Sequence, residues 1–330
     1  MKKAILYTLC AILFISLGWS LNLLFTSPKL KKSIAQIVPR PLDKYTIENL
    51  SKANVPAGKI ELGKVIQDTS TFTSYEFIHY FDPTLTRKPA KKLSGMINIP
   101  KGEGPFPLIL MIRGYVDKEK YTIGEGTQHG AEFFASKGYI TVAPDFLGYG
   151  DSDPEPNSTF EARFQTYTTV MSVMASLDSV SKWDKKRSFI WAHSNGGQIA
   201  LTVLEITGKN IPTVLWAPVS KPFPYSILYY TDDSPDLGKY LRSEIANFEE
   251  LYDPNLYSIH AYYDRIKASI ELDQGTADES VPVKWSDDLA KSLLNLNLDL
   301  NYQLYPASDH NMLPLWNQAI LSNLDFYKRF

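Results

Sequence analysis

The segment that most constrains the fold is residues 190–197, which read Ile-Trp-Ala-His-Ser-Asn-Gly-Gly. An apolar strand runs directly into Ser194 and a helix-forming segment follows, so the sequence predicts a tight strand-turn-helix corner. Such a corner needs small residues two positions before and after the serine, and Ala192 and Gly196 meet this requirement. The corner strains the backbone at the serine, which proteins tolerate mainly at functional sites. Ser194 is therefore a candidate nucleophile.

A serine hydroxyl becomes a good nucleophile only beside a base, usually a histidine that a carboxylate orients. Behind this kind of corner, the order along the chain is serine, then carboxylate, then histidine. Asp278 follows the apolar strand 268–272, and His310 follows the alternating strand 298–304. Because both lie on loops at the carboxyl ends of predicted strands, we expect them to meet Ser194 at one edge of the sheet.

Neighbouring residues compete for these roles. Glu279 and Asp273 are alternatives to Asp278 as the carboxylate, although each fits the pattern less well. Asp309 is adjacent to the candidate base, but neighbours on an extended loop point apart, so we interpret it as structural. His193 precedes the serine, and we interpret it as a packing residue that faces away from the site.

These motifs resemble the catalytic domain of the prolyl oligopeptidase family over roughly residues 90–330. The resemblance rests on the serine corner, on Gly-Thr-Ala-Asp-Glu-Ser-Val-Pro at 275–282 and on Ser-Asp-His-Asn at 308–311. The strand and turn at 106–115 also match, but Arg113-Gly114 stands where many relatives have His-Gly. The resemblance implies the α/β-hydrolase fold, which dienelactone hydrolases and related esterases share: a mostly parallel twisted sheet with helices on both faces.

An oxyanion hole needs two hydrogen-bond donors aimed at the developing negative charge. The first would be the backbone N–H of Asn195, the residue after the nucleophile. The second would come from Tyr115, through its backbone N–H or, as in some relatives, its hydroxyl. The chain has no His-Glu-x-x-His motif, no cysteine pair and no phosphate-binding glycine loop. We therefore expect neither a cofactor nor a metal.

The N-terminus carries two lysines and then an apolar run, 4–25, long enough to cross a hydrocarbon core of about 30 Å. The pattern favours a membrane anchor over residues 1–28 with the catalytic domain outside the cytoplasm; a cleaved signal peptide and secretion are the alternative. Three prolines between residues 39 and 56 predict an irregular stalk over 29–58.

Residues 59–330 predict one α/β domain, because strands and helices alternate along most of this stretch. Segment 221–266 interrupts the alternation with tyrosines, prolines and aspartates, and we interpret it as a small cap inserted over the cleft. A net charge of −2 indicates no nucleic-acid partner.

Together these features predict a serine hydrolase that cleaves an acyl bond of a small-molecule ester or short peptide through an acyl-enzyme. The resemblance implies a peptidase, but without the β-propeller of prolyl oligopeptidases, since the chain ahead of residue 108 is far too short for one. A carboxylesterase is the alternative. A catalytically inactive, membrane-tethered binding module is less favoured, because it would have no reason to keep Ser194, Asp278 and His310. The sequence makes no prediction of oligomeric state.

Overall fold

The computed structural model describes residues 38–330, and the chain from Arg40 to Phe330 forms one compact unit. The predicted anchor or signal peptide over 1–28 lies outside the described residues, as does the first part of the predicted stalk. Among the residues that are described, no helix combines the length and the apolar character needed to cross a bilayer.

One nine-stranded sheet organises this unit. In chain order its strands are β1 (Ile60–Asp68), β2 (Phe72–Phe81), β3 (Lys91–Pro100), β4 (Phe106–Ile112), β5 (Ile140–Pro144), β6 (Trp183–His193), β7 (Thr213–Trp216), β8 (Ile270–Gly275) and β9 (Leu300–Tyr305). Their spatial order is β1-β2-β3-β5-β4-β6-β7-β8-β9. The pairs β1–β2, β2–β3 and β3–β5 are antiparallel. The pairs β5–β4, β4–β6, β6–β7, β7–β8 and β8–β9 are parallel. The predicted, mostly parallel sheet is confirmed.

Helices flank this sheet and connect its strands. In chain order they are α1 (Ile47–Ser51), α2 (Gln128–Ser136), α3 (Thr159–Ser176), α4 (Asn195–Thr207), α5 (Tyr225–Leu228), α6 (Lys239–Leu251), α7 (Val283–Asn295) and α8 (Trp316–Tyr327). The strand β4 shows how both sheet faces are covered, because its side chains alternate between two hydrophobic clusters. Leu108, Leu110 and Ile112 join a cluster with α3, α4 and α7, whereas Ile109 and Met111 join one with α2 and α8. Helices on both faces are therefore confirmed.

The predicted stalk is wrong for residues 40–51, whereas residues 52–58 are mostly exposed and contain no helix or strand. A short 3-10 turn and α1 fold back onto the domain, with α1 packed against α4. Tyr45, Ile47 and Leu50 are buried in the main core, which is the hydrophobic cluster that also contains Leu108, Leu110 and Ile112. The Tyr45 hydroxyl donates to Glu161 Oε1 at 2.9 Å. The prolines do interrupt regular structure. The apolar side chains between them are nevertheless buried, because burial of apolar surface gives a favourable free energy that an exposed stalk would lack. The domain therefore begins near Arg40 rather than at residue 59.

Between β7 and β8 the chain leaves the sheet, and the predicted insertion 221–266 lies in this stretch. It contains α5, α6 and several short 3-10 turns. Its base is tied to α3 by aromatic contacts: Phe160 with Phe223 and Phe248, and Phe164 with Tyr257. This packing fixes where the insertion stands relative to the carboxyl edge of the parallel strands.

Candidate active site

Ser194 lies at the turn between β6 and α4, with φ 56° and ψ −122°. A non-glycine residue rarely adopts positive φ, so this turn stores strain at the serine. The Ser194 N–H donates to the Trp216 carbonyl oxygen at 2.9 Å, which ties the turn to β7. A Cβ on Gly196 would lie 2.2 Å from the Ile112 carbonyl oxygen, so a glycine is required there. The structure contains the predicted strand-turn-helix corner.

His310 and Asp278 meet at the carboxyl ends of β9 and β8. His310 Nδ1 lies 2.8 Å from Asp278 Oδ2, and the Asp278 side chain has no exposed surface. Its Oδ1 accepts from the N–H groups of Ser280 and Val281, both at 2.8 Å. Burial favours a higher pKa for Asp278, but the hydrogen bond from His310 and those two N–H groups outweigh it and hold the pKa below its usual value. The carboxylate therefore fixes the proton on Nδ1 and leaves Nε2 available as a base.

The alternative carboxylates lie elsewhere. Asp273 is completely buried and accepts from Asn323 Nδ2 at 2.6 Å, and Glu279 is exposed. Asp309 Oδ1 accepts from the N–H groups of residues 311 and 313, at 2.9 and 2.8 Å, so it holds the turn that presents His310. The structure thus brings Asp278 to the histidine.

Ser194, Asn195, Tyr115 and His310 line one cavity of about 910 Å³. The insertion supplies another part of its wall: Ser226, Ile227, Tyr230, Ser234, Pro235 and Leu241. Four of the five predicted site residues therefore open into the same space, with the fifth, Asp278, bonded to His310. Within residues 38–330 no group of three or more His, Cys, Asp or Glu side chains is placed to hold a metal ion.

The turn after β4 approaches the serine closely. A Cβ on Gly114 would lie 2.8 Å from Ser194 Cβ, so only glycine permits this approach. Tyr115 follows it and is 80% exposed as a residue. On the other side of the serine, Asn195 is the first residue of α4, where backbone N–H groups lack acceptors within the helix.

Arg113, at the position that departs from many relatives, turns into the protein. Its Nη1 donates to the Gly114 carbonyl oxygen at 2.9 Å and its Nη2 to the Asp145 carbonyl oxygen at 2.7 Å. The guanidinium also stacks on Tyr149, 3.9 Å from the ring centroid. Arg113 therefore ties the glycine turn to the loop after β5.

The interpretation of His193 as a residue facing away is wrong. It lines the cavity, and its Nε2 donates to the His310 carbonyl oxygen at 2.9 Å. Burial, followed by the nearby His310 ring, lowers the pKa of His193 to about 4, so its imidazole is neutral at neutral pH. No sequence pattern signalled this, because the direction of a side chain at a strained corner depends on the local backbone.

Gln274 is a second residue that sequence reasoning missed. It is completely buried at the end of β8, and its Nε2 donates to Asp278 Oδ2 at 3.0 Å. Its Oε1 accepts from Ser286 Oγ at 2.7 Å, which holds the amide in this orientation. The sequence feature that could have indicated this role is a polar residue, Gln274, directly before the glycine that ends β8.

Comparison with protein families gives a match over more than half of the sequence. The profile of the prolyl oligopeptidase family matches residues 126–329, a stretch that includes Ser194, Asp278 and His310. A sequence search among curated proteins finds no significant match.

Solved structures with a similar fold include esterases, an S-formylglutathione hydrolase and peptidases. Acetyl xylan esterase 1 from Thermoanaerobacterium sp. JW/SL YS485 is 17% identical with a TM-score of 0.60, over 88% of this chain and 94% of that one. The S-formylglutathione hydrolase, from Agrobacterium tumefaciens, is 16% identical with a TM-score of 0.58, over 82% and 99%. A puromycin-hydrolyzing peptidase of Mycobacterium tuberculosis is 17% identical with a TM-score of 0.54, over 82% and 40%. These likenesses confirm the predicted α/β-hydrolase fold.

Proposed function

The chain belongs to the prolyl oligopeptidase family and is a serine hydrolase, and from this premise we propose that Ser194, His310 and Asp278 are its catalytic triad. The observation that carries the proposal is the 2.8 Å hydrogen bond from His310 Nδ1 to the buried Asp278 carboxylate, with His310 and the strained Ser194 lining one cavity.

In the proposed reaction, Ser194 Oγ attacks an acyl carbon while His310 Nε2 takes its proton. Asp278 stabilises the imidazolium that results. The N–H groups of Asn195 and Tyr115 donate to the tetrahedral oxyanion. The leaving group departs with the proton from His310, and water then repeats the same steps on the acyl-enzyme.

We assign the Tyr115 contribution to its backbone N–H rather than to its hydroxyl. Gly114 brings the backbone of this turn against the serine, whereas Tyr115 as a whole residue is 80% exposed, which leaves little of its ring covered by the protein. Oxyanion donors act best when they are fixed and shielded from water.

The proposed substrate is a small ester or a short peptide, since a cavity of about 910 Å³ fits a small molecule. The family favours a peptidase. A carboxylesterase is the second candidate, because the likeness to the acetyl xylan esterase and the S-formylglutathione hydrolase spans 94% and 99% of their chains, against 40% of the peptidase. Relative turnover of p-nitrophenyl esters and peptide p-nitroanilides distinguishes the two.

Labelling with a fluorophosphonate tests the triad itself. We expect a single adduct on Ser194, which Ser194→Ala abolishes. Ser280→Ala, which removes another serine lining the cavity, serves as the matched control and should keep the adduct. If the folded protein forms no adduct, the triad proposal fails and an inactive binding module becomes the better explanation.

We also propose that residues 1–28 anchor the protein in a membrane with the catalytic domain outside the cytoplasm. The support is the two lysines ahead of the apolar run 4–25. Membrane fractionation combined with N-terminal sequencing tests this. An intact N-terminus in the membrane fraction supports an anchor, whereas a shortened N-terminus in the soluble fraction shows cleavage of a signal peptide.

A further inference from the structure

Arg163 of α3 lines the same cavity as Ser194, and its guanidinium is only partly satisfied. Its Nη2 donates to Gln198 Oε1 at 3.0 Å. Gln198 is itself held by hydrogen bonds from its Nε2 to Tyr167 and Thr202, both at 3.0 Å, so the guanidinium has a fixed anchor. Arg163 Nε is shielded from solvent and has no hydrogen-bond partner among the described residues.

No carboxylate described within residues 38–330 pairs with this arginine. The arginine ion pairs in that range involve Arg40, Arg187, Arg242, Arg265 and Arg329. Arg113, the other guanidinium near the serine, already donates to two backbone carbonyl oxygens. Arg163 therefore has N–H groups without an acceptor among the described residues, and its one side-chain partner is the neutral amide of Gln198.

The larger cavity, which Arg163 shares with Ser194, carries no compensating charge. Its lining residues include no aspartate, glutamate or lysine, and Val219, Ile227 and Leu241 make part of the wall apolar. A planar guanidinium binds a carboxylate through two parallel hydrogen bonds, and the attraction strengthens where water is partly excluded. The chemistry that would complete this cavity is an anion supplied by the substrate.

A second cavity of about 420 Å³ indicates which arm of the substrate carries that anion. Arg163, Asn195, Gly114 and Tyr115 line both cavities, whereas His310 lines only the larger one. The second cavity also has Glu155 in its wall, and Lys118 pairs with this carboxylate, which leaves Arg163 as a cation without a paired carboxylate. The leaving group must lie near His310, because it takes its proton from there. The arm that extends past the oxyanion donors toward Arg163 is therefore the acyl arm.

We propose that Arg163 binds a carboxylate at the far end of the acyl group, so that the enzyme acts on esters or amides of acids that carry a second carboxylate. This inference deepens the proposed function and rests on it, because it requires an acyl group on Ser194. Arg163 then determines specificity without taking part in the chemical steps.

The test compares two esters of equal length. One is the p-nitrophenyl monoester of adipic acid, and the other replaces its free carboxylate with a primary amide. We expect kcat/KM for the anionic ester to be about 10- to 100-fold higher, as for a hydrogen-bonded charge pair. Arg163→Gln should bring this ratio close to one. Arg163→Lys should give an intermediate ratio, because it keeps the charge but loses the planar pair of donors.

Arg242→Gln is the matched control, since it removes an exposed arginine of α6 that pairs with Asp232, and it should keep the wild-type ratio. Equal kcat/KM for the two esters in the wild-type protein overturns the inference. So does an Arg163→Gln variant that loses activity while keeping the ratio, which shows a purely structural role. In either case the fluorophosphonate adduct on Ser194 still forms. Absence of the adduct, with neither ester hydrolysed, overturns the proposed function and this inference with it.

Discussion

The imidazole rings of His193 and His310 lie with their centroids 4.5 Å apart, and His193 Nε2 donates to the His310 carbonyl oxygen at 2.9 Å. Because a carbonyl oxygen only accepts hydrogen bonds, His193 must carry its proton on Nε2. Burial and the adjacent ring lower the pKa of His193 from its ordinary 6.5 to about 4. A neutral imidazole thus supports the backbone of the proposed base.

This arrangement predicts a loss of stability in acid. The unfolded chain binds a proton at His193 below pH 6.5, whereas the folded state binds it only below about pH 4. The contribution of His193 to the free energy of unfolding is therefore complete above pH 6.5. It falls by about 3 kcal/mol as the pH drops toward 4. His193→Gln keeps a donor for the carbonyl oxygen and removes the titration, so its free energy of unfolding should depend less on pH. Urea denaturation at several pH values between 7 and 4 measures this free energy. If it depends on pH as strongly in His193→Gln as in the wild-type protein, the prediction is wrong.

Replacing Asp278 with asparagine should abolish most activity while leaving the fold intact. The new side-chain amide oxygen can still accept from the N–H groups of Ser280 and Val281, but the amide no longer holds the proton on His310 Nδ1. We expect Asp278→Asn to lower kcat/KM by about 10⁴-fold, as loss of the correct tautomer does in a triad. Asp309→Asn is the control, because Asp309 only accepts from backbone N–H groups. Ester hydrolysis and thermal melts decide the matter; activity within tenfold of wild type in Asp278→Asn argues against this role.

Gly114→Ala should impair catalysis through crowding. The new Cβ would lie 2.8 Å from Ser194 Cβ and 3.2 Å from the His193 carbonyl oxygen, so the turn after β4 must move away from the serine. Because this displaces an oxyanion donor, we expect kcat to fall by about 10²- to 10³-fold. Gly130→Ala in α2 is the matched control, since its Cβ would meet its nearest neighbour at 3.5 Å, an ordinary contact. Equal kcat values for the two variants would show that the close approach is unimportant.

Tyr115→Phe separates the two possible oxyanion donors of that residue. If the backbone N–H donates, removal of the exposed hydroxyl should leave kcat within about threefold of wild type. A decrease of about 10²-fold would instead assign the role to the hydroxyl. Steady-state kinetics on one activated ester, with fluorophosphonate labelling to count active sites, provides the measurement.

The features that were predictable from the sequence depend on local pattern. The strand-turn-helix corner at Ser194 follows from small residues beside an apolar strand, and the positions of Asp278 and His310 follow from the strands that precede them. Gly114 was recognisable as part of a turn, although the 2.8 Å approach that requires it is a contact between separate segments.

The features that escaped prediction depend on contacts between distant segments. Arg163 faces a cavity whose wall comes partly from the insertion, and it is held by Gln198 of α4. Both segments are distant in sequence, so the residues next to Arg163 do not predict these contacts. His193 depends on how a strained turn directs its side chain. The prolines were correctly interpreted as breaks in regular structure, but the surface that α1 packs against includes α4, far along the chain.

Leu50→Ala tests whether residues 40–51 belong to the domain. Leu50 is 2% exposed and packs in the main core, so its truncation should lower the free energy of unfolding by about 2–5 kcal/mol. Val38→Ala is the control, because Val38 is 52% exposed and its truncation should change stability by less than about 0.5 kcal/mol. Urea denaturation of both variants provides the comparison. If this segment were an exposed stalk, the two substitutions would have equally small effects. Because α1 packs against α4 and Leu50 is buried in the core, we expect the Leu50 side chain to belong to the cooperative unit that includes the Ser194 helix.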